Sequence, residues 1–126
     1  MSSHRDAVTA TEVVRSFLAC APQLDLPTAA TLLAEDVVRT GADRSVVRGR
    51  DAYLAYLARA LAGTSGYRSE LRRIVATTDG SVVFAELDEE LTEADGTYVE
   101  VSEAMVFDLD TQGQISALTV YERGTG

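Results

Sequence analysis

The sequence is short of the residues on which much familiar chemistry depends. It contains one histidine, one cysteine and no tryptophan. With His4 alone, near the N-terminus, no Ser-His or Cys-His pair can form unless that segment folds into a site. There is no Cys/His ligand spacing and no Asp-rich calcium loop, so metal binding has only scattered carboxylates in its favour. A Gly-rich phosphate loop and a dinucleotide fingerprint are both missing, and no cofactor is expected. No apolar run approaches the roughly 20 residues a membrane span needs. The opening "MSSHRDAVTATE" has no apolar signal core, which with the single Cys20 points to a cytoplasmic protein. Positive charge is scarce as well: 11 basic against 20 acidic residues give a net charge of −9. Such a surface disfavours nucleic acid and anionic membranes, since neither would be attracted to it. The local basic clusters "YRSELRR" and "VVRGR" read as solvated ends of elements.

What is present is ordinary for a globular chain: 126 residues, 46% hydrophobic and 25% charged. That length suits one domain, expected over residues 11–126 behind a disordered tail at 1–10. A helix is predicted from about Thr11 to Ala21, with Val13, Val14, Phe17 and Leu18 on one face. A second, "DLPTAATLLAEDV", carries Pro27 in its first turn, and Leu32 and Leu33 on its buried side. "VVRT" and "SVVRG" read as short strands, and "RGRDAYLAYLARALAG" as a third helix stopped by Gly63. From Gly66 onward the period changes to two, predicting strands at about 67–77, 81–92, 98–109 and 115–123. The turns between them, "TDGS", "ADGT" and "TQGQ", each hold a glycine where positive φ is expected. Helices followed by a meander imply an α+β domain with helices on one sheet face.

One residue breaks the strand pattern. From Val99 to Leu109 every second residue is apolar except Glu103, which should therefore face the interior. If Asp95-Gly96 forms a two-residue hairpin loop, Ala94 pairs with Thr97, and Glu103 lies directly opposite Asp88. Phe84 then pairs with Phe107, Glu86 with Met105 and Glu90 with Val101. Two carboxylates about 5 Å apart at an effective dielectric of about 20 repel by roughly 3 kcal/mol, enough to hold one proton between them. A three-residue loop would put the two on opposite faces. A second reading stays open, because Val83, Ala85, Leu87 and Leu91 are more apolar than the even positions. The even carboxylates would then be solvated, and Glu103 would be neutralised by Arg68 or Arg72.

Two helices, a short strand pair, the "GRD" helix start and the closing "VFDLDTQGQISALTVYE" together resemble the nuclear transport factor 2-like superfamily. This group includes ketosteroid isomerases, SnoaL-like polyketide cyclases and limonene-epoxide hydrolases. The resemblance spans about Thr11 to Arg123. It implies a cone-shaped curved antiparallel sheet wrapped against three helices, an internal pocket, and a homodimer through the outer sheet face. The oxyanion-stabilising acid of the isomerases falls on Glu103, yet their base falls on Thr40 and their tyrosine on Ser16. One catalytic aspartate of the epoxide hydrolases falls on Asp88. Their arginine falls on Glu86, their second aspartate on Val120, and their tyrosine and asparagine near Arg39 and Gly41.

The expectation is a cofactor-independent cyclase or isomerase acting on an apolar oxygenated molecule such as a polyketide. Asp88 and Glu103 would do acid/base work, without a metal. Phe84, Glu86, Met105, Phe107, Leu118, Val120 and Tyr56 would line the site. An epoxide hydrolase or epoxide-opening cyclase and a non-catalytic binding or dimerisation module are the alternatives. Glu122 and Tyr121 are expected to be exposed at the end of the last strand, Tyr53 to be a core or rim residue, and Cys20 to be buried.

Overall fold

The computed structural model describes residues 7–123. His4 lies outside them. In chain order the elements are α1 (Ala7–Gln23), α2 (Leu26–Leu32), β1 (Leu33–Thr40), β2 (Val46–Arg48) and α3 (Arg50–Ala62), then β3 (Thr64–Ala76), β4 (Val82–Glu93), β5 (Tyr98–Leu109) and β6 (Ile115–Arg123). This is the expected α+β cone of three helices against a sheet, except that the sheet, expected to be antiparallel, is mixed, because β1 pairs parallel with β6. Two element boundaries differ from the sequence expectation. Residues 7–10, placed in a disordered tail, form the first turn of α1, because Ala10 packs fully into the core beside Val14. Helix α2 stops at Leu32, and the "LAEDV" expected to extend it belongs to β1, whose Leu33, Ala34 and Val37 are buried.

Strand order across the sheet is β2-β1-β6-β5-β4-β3. All neighbours are antiparallel except β1 and β6, which run parallel with Arg39 beside Leu118. The helices cover one face. Phe17 of α1 meets Phe107 of β5 edge-on at 6.1 Å, and Tyr53 of α3 lies 6.1 Å from Phe17. Burying each such ring contributes roughly 1.5–3 kcal/mol, enough to fix which sheet face turns inward.

That choice is visible on β4. Val83, Ala85 and Leu87 are buried, whereas Phe84 is 47% exposed on the other side. The loop after β4 has three residues, Ala94, Asp95 and Gly96, with Gly96 at φ 91° and Glu93 N–H donating to Thr97 C=O at 2.8 Å. Asp95 Oδ1 accepts from Thr97 N–H at 2.9 Å and steadies the turn. The expected two-residue loop is therefore one residue too short. Glu103 lies opposite Leu87, and Asp88 opposite Ser102. A one-residue slip moves every side chain to the other face.

A bulge in β3 between Leu71 and Arg73 adds to the outer face. It turns two consecutive arginines outward, where Arg72 Nη1 binds Asp88 Oδ2 at 2.8 Å and Arg73 Nη2 binds Glu86 Oε1 at 2.9 Å. Arg68 reaches Glu90 at 3.9 Å. No described helix is long and apolar enough to cross a membrane.

Candidate active site

Between α1, α3 and the inner sheet face lies a cavity of about 220 Å³. Its walls are mixed: Phe17, Leu18 and Ala21 of α1 with Leu57 and Leu61 of α3 are apolar, and Arg39, Tyr53, Tyr56, Tyr67, Glu89 and Glu103 are polar. The strand alternation delivers the polar group. Glu89 continues the inward series Val83, Ala85, Leu87, and Glu103 continues the series Phe107, Met105 on the neighbouring strand. Glu89 is diagonal to Glu103, a separation of about 7–8 Å between β-carbons that long side chains can close.

Oε1 of Glu103 is buried and has no hydrogen-bond partner. Burial pushes the Glu103 carboxyl up to about 9; Glu89 adds to this as hydrogen-bond partner and as negative charge, Glu122 adds further negative charge, and Arg39 opposes them weakly. Glu122 pairs directly with Glu103 across β5 and β6 and sits at the exposed rim. On the other side, the Tyr67 hydroxyl donates to Glu89 Oε2. Burial first, and then the charge of Glu89, raise the Tyr67 phenol well above its usual range, so it acts as a donor. Tyr53, 3% exposed, is likewise raised by burial, with Arg39 acting in the opposite direction. The Arg39 guanidinium lies 4.6 Å from the centroid of the Tyr56 ring.

The expected site is therefore redrawn. Glu103, Met105 and Tyr56 line the cavity as expected, and Glu122, expected to be exposed, is so at its rim. Phe107, Leu118 and Val120 stand behind the wall in the core, 0%, 0% and 2% exposed. Asp88, Glu86 and Phe84 do not belong to it, because the register puts them on the outer face. Asp88 there accepts from Arg72 and from Ser102 Oγ at 2.9 Å, and these bonds hold its carboxyl below the usual range. Arg68 and Arg72 are matched to Glu90 and Asp88, and neither neutralises Glu103. The residues that sequence reasoning missed are Glu89, Tyr67 and Arg39. A signal for Glu89 was present: it is a carboxylate flanked by Leu87 and Leu91 within the more apolar parity of its strand, as Glu103 is flanked by Val101 and Met105 within its own.

A carboxylate, a carboxyl that keeps its proton at neutral pH, a phenol donor and a guanidinium thus converge on one small, mostly apolar cavity. That set can accept a proton, donate one and stabilise developing negative charge. Among the described residues no group of three or more His, Cys, Asp or Glu is placed to hold a metal ion.

The SnoaL-like domain model matches residues 14–118. Among solved structures, an LEH-like epoxide hydrolase of M. tuberculosis is similar with a TM-score of 0.80 and 26% identity, over 93% of this chain and 84% of that one. SalBIII, an epoxide hydrolase/cyclase-like enzyme with a role in pyran ring formation in the polyether salinomycin, is similar with a TM-score of 0.80 and 22% identity, over 92% of each chain. Bal32a, from a soil-derived mobile gene cassette, has a TM-score of 0.84 and 21% identity, over 94% of this chain and 92% of that one. The last two likenesses speak to the fold alone. No protein of curated function matches the sequence.

Proposed function

The chain belongs to the SnoaL-like domain family, and on that premise we propose that it is a cofactor-independent acid/base enzyme, a cyclase or isomerase, acting on an apolar oxygenated small molecule. The observation that carries this reading is the Glu103–Glu89 pair inside the cavity, with Tyr67 donating to Glu89. Tyr67 favours the charge on Glu89, so Glu89 is the base and Glu103 the acid. Glu89 removes a proton from carbon or hydroxyl, and Glu103 gives its proton to the oxygen on which negative charge develops. Arg39 and Tyr53 line the same cavity and add donors toward that oxygen. The apolar wall holds the rest of the substrate and excludes water.

A second reading is favoured by the likeness to the LEH-like epoxide hydrolase. Here Glu89 takes the proton of a water, or of a substrate hydroxyl, as its oxygen attacks an epoxide carbon. The carbon–oxygen bond breaks, and Glu103 protonates the released oxygen. A panel of racemic epoxides and of enolisable polyketide-like ketones in ¹⁸O-labelled water separates the two. Labelled diol, or ring-closed product formed from a hydroxy-epoxide, supports the epoxide reading, and cyclised or isomerised product formed from a ketone supports the first. Both fall if the purified protein turns over neither class and its cavity carboxyls titrate as ordinary carboxylates, which leaves a binding or dimerisation module.

A further inference from the structure

We propose that the ligand of this cavity is an apolar acid whose carboxylate is received by Arg39, an inference that rests on the cavity being the substrate site. Every other arginine that β3 turns to the outer face is matched to a carboxylate of β4: Arg68 to Glu90, Arg72 to Asp88 and Arg73 to Glu86. Arg39 differs. It lines a cavity that also holds Glu89, Glu103 and Glu122, yet among the described residues no carboxylate stands within ion-pairing distance of it. Its contacts are the face of Tyr56 and the Tyr53 side chain, and the one further acid that acts on it, Asp43, lies beyond ion-pairing distance with Oδ1 already accepting from Ser45 N–H and Oγ–H. A guanidinium carries five N–H donors in a planar fork that fits a carboxylate, and neither contact uses up that fork.

The position of the guanidinium is built into the backbone. A β-carbon at Gly41 would come within 2.8 Å of Arg39 Nη1, so the guanidinium rests where any other residue at 41 would intrude. Gly41 is buried and its φ is not positive, so space beside Arg39, Asp43 and Ser45 is what its lack of a side chain provides. The groups facing Arg39 decide the charge of the ligand. Glu89 already accepts from Tyr67, and Glu122 sits at the exposed rim. Oε1 of Glu103 is buried without a partner, and a protonated Glu103 sets no negative charge against the ligand. A cationic head would meet a like charge, because Arg39 already occupies the face of Tyr56. In the same cavity, Phe17, Leu18, Leu57 and Leu61 offer apolar wall to a tail. The cavity of about 220 Å³ is a space suited to a short-chain or single-ring acid.

The test uses three probes of one shape, hexanoate, hexanamide and hexylamine, titrated calorimetrically into the full chain at pH 7. Hexanoate is expected to bind at least roughly tenfold more tightly than either of the others. Arg39→Gln, checked for folding by circular dichroism, should erase that preference. Gly41→Ala keeps the charge but displaces the guanidinium, and it should weaken hexanoate while leaving hexanamide unchanged. Equal or tighter binding of amide or amine, a preference that survives Arg39→Gln, or no saturable hexanoate binding at millimolar concentration would each overturn the inference. A carboxyl titration of the ligand-free protein judges the acid/base reading separately. If Glu103 ionises as an ordinary glutamate, that reading fails while a hexanoate preference held by Arg39 stands; if the titration is raised and hexanoate is not preferred, only the carboxylate inference falls.

Discussion

The Tyr67 hydroxyl donates to Oε2 of Glu89. This bond joins β3 to β4 inside the cavity and leaves the rest of the Glu89 carboxylate free to act on Glu103, which reaches the same space from β5. Asp88, the residue before Glu89, points the other way and spends its oxygens on Arg72 and Ser102. Two adjacent acids thus have different work, one inside and one out.

Tyr67→Phe removes a hydrogen bond to a charged group and should destabilise the fold by about 1–3 kcal/mol. With that donor gone, the Glu89–Glu103 pair gives up its first proton at a higher pH. Carboxyl-carbon NMR titration of the variant against the wild type checks this. An unchanged titration would mean that Tyr67 does not assign the charge within the pair.

Glu103 makes stability depend on pH in a defined direction. Its folded value, about 9, lies above the ordinary 4.5, so the folded state holds a proton that the unfolded state has lost between those values. The contribution is fully present below about pH 4.5 and is lost as pH rises through about 9. Glu103→Gln cannot ionise and should escape this loss. Its urea midpoint should exceed that of the wild type by a margin that widens from pH 5 to pH 9, while turnover disappears. A variant that is strongly destabilised at every pH would instead identify Glu103 as one half of a structural ion pair.

Asp88→Asn tests the register directly. On the outer face it breaks an exposed contact with Arg72, and turnover should stay within about twofold of the wild type. Glu89→Gln should abolish turnover. If the two variants behave in the reverse sense, the three-residue loop is not the one present in solution.

The outer face carries exposed apolar side chains. Val75, Phe84, Val106 and Thr119 lie side by side across β3 to β6, with Val75 53% and Phe84 47% exposed. We expect a homodimer through this face, since a stable interface needs roughly 800 Å² from each partner with an apolar centre. Phe84→Glu should then shift the sedimentation coefficient to that of a monomer. A wild-type protein that sediments as a monomer at high concentration would refute the expectation.

The element order was legible in the sequence because its causes are local. The change from helical to two-residue period at Gly66, and the turn glycines at 80, 96 and 113, all with positive φ, mark β3 to β6 within a few residues. Glu103 was legible as an inward acid for the same reason. The apolar parity of β4 also pointed to Glu89, because Val83, Ala85 and Leu87 bury and their alternation carries Glu89 with them.

Glu103's partner was not legible, since Asp-Gly in "ADGT" favours a two-residue hairpin loop, whereas the chain uses a three-residue loop that ends on the same glycine at positive φ. The choice between them rests on burying Leu87 rather than Asp88 under the helices, a packing decision made across the whole sheet. Arg39 and Tyr67 could not be read from local pattern either. One arrives from β1 through its parallel pairing with β6, and the other from a strand that bulges at Arg72. The sequence by itself determined the element order and Glu103 as an inward acid, because periodicity is written in consecutive residues. Only the tertiary structure decided which acids meet and which cation stands beside them, because register and crossover depend on contacts distant in the chain.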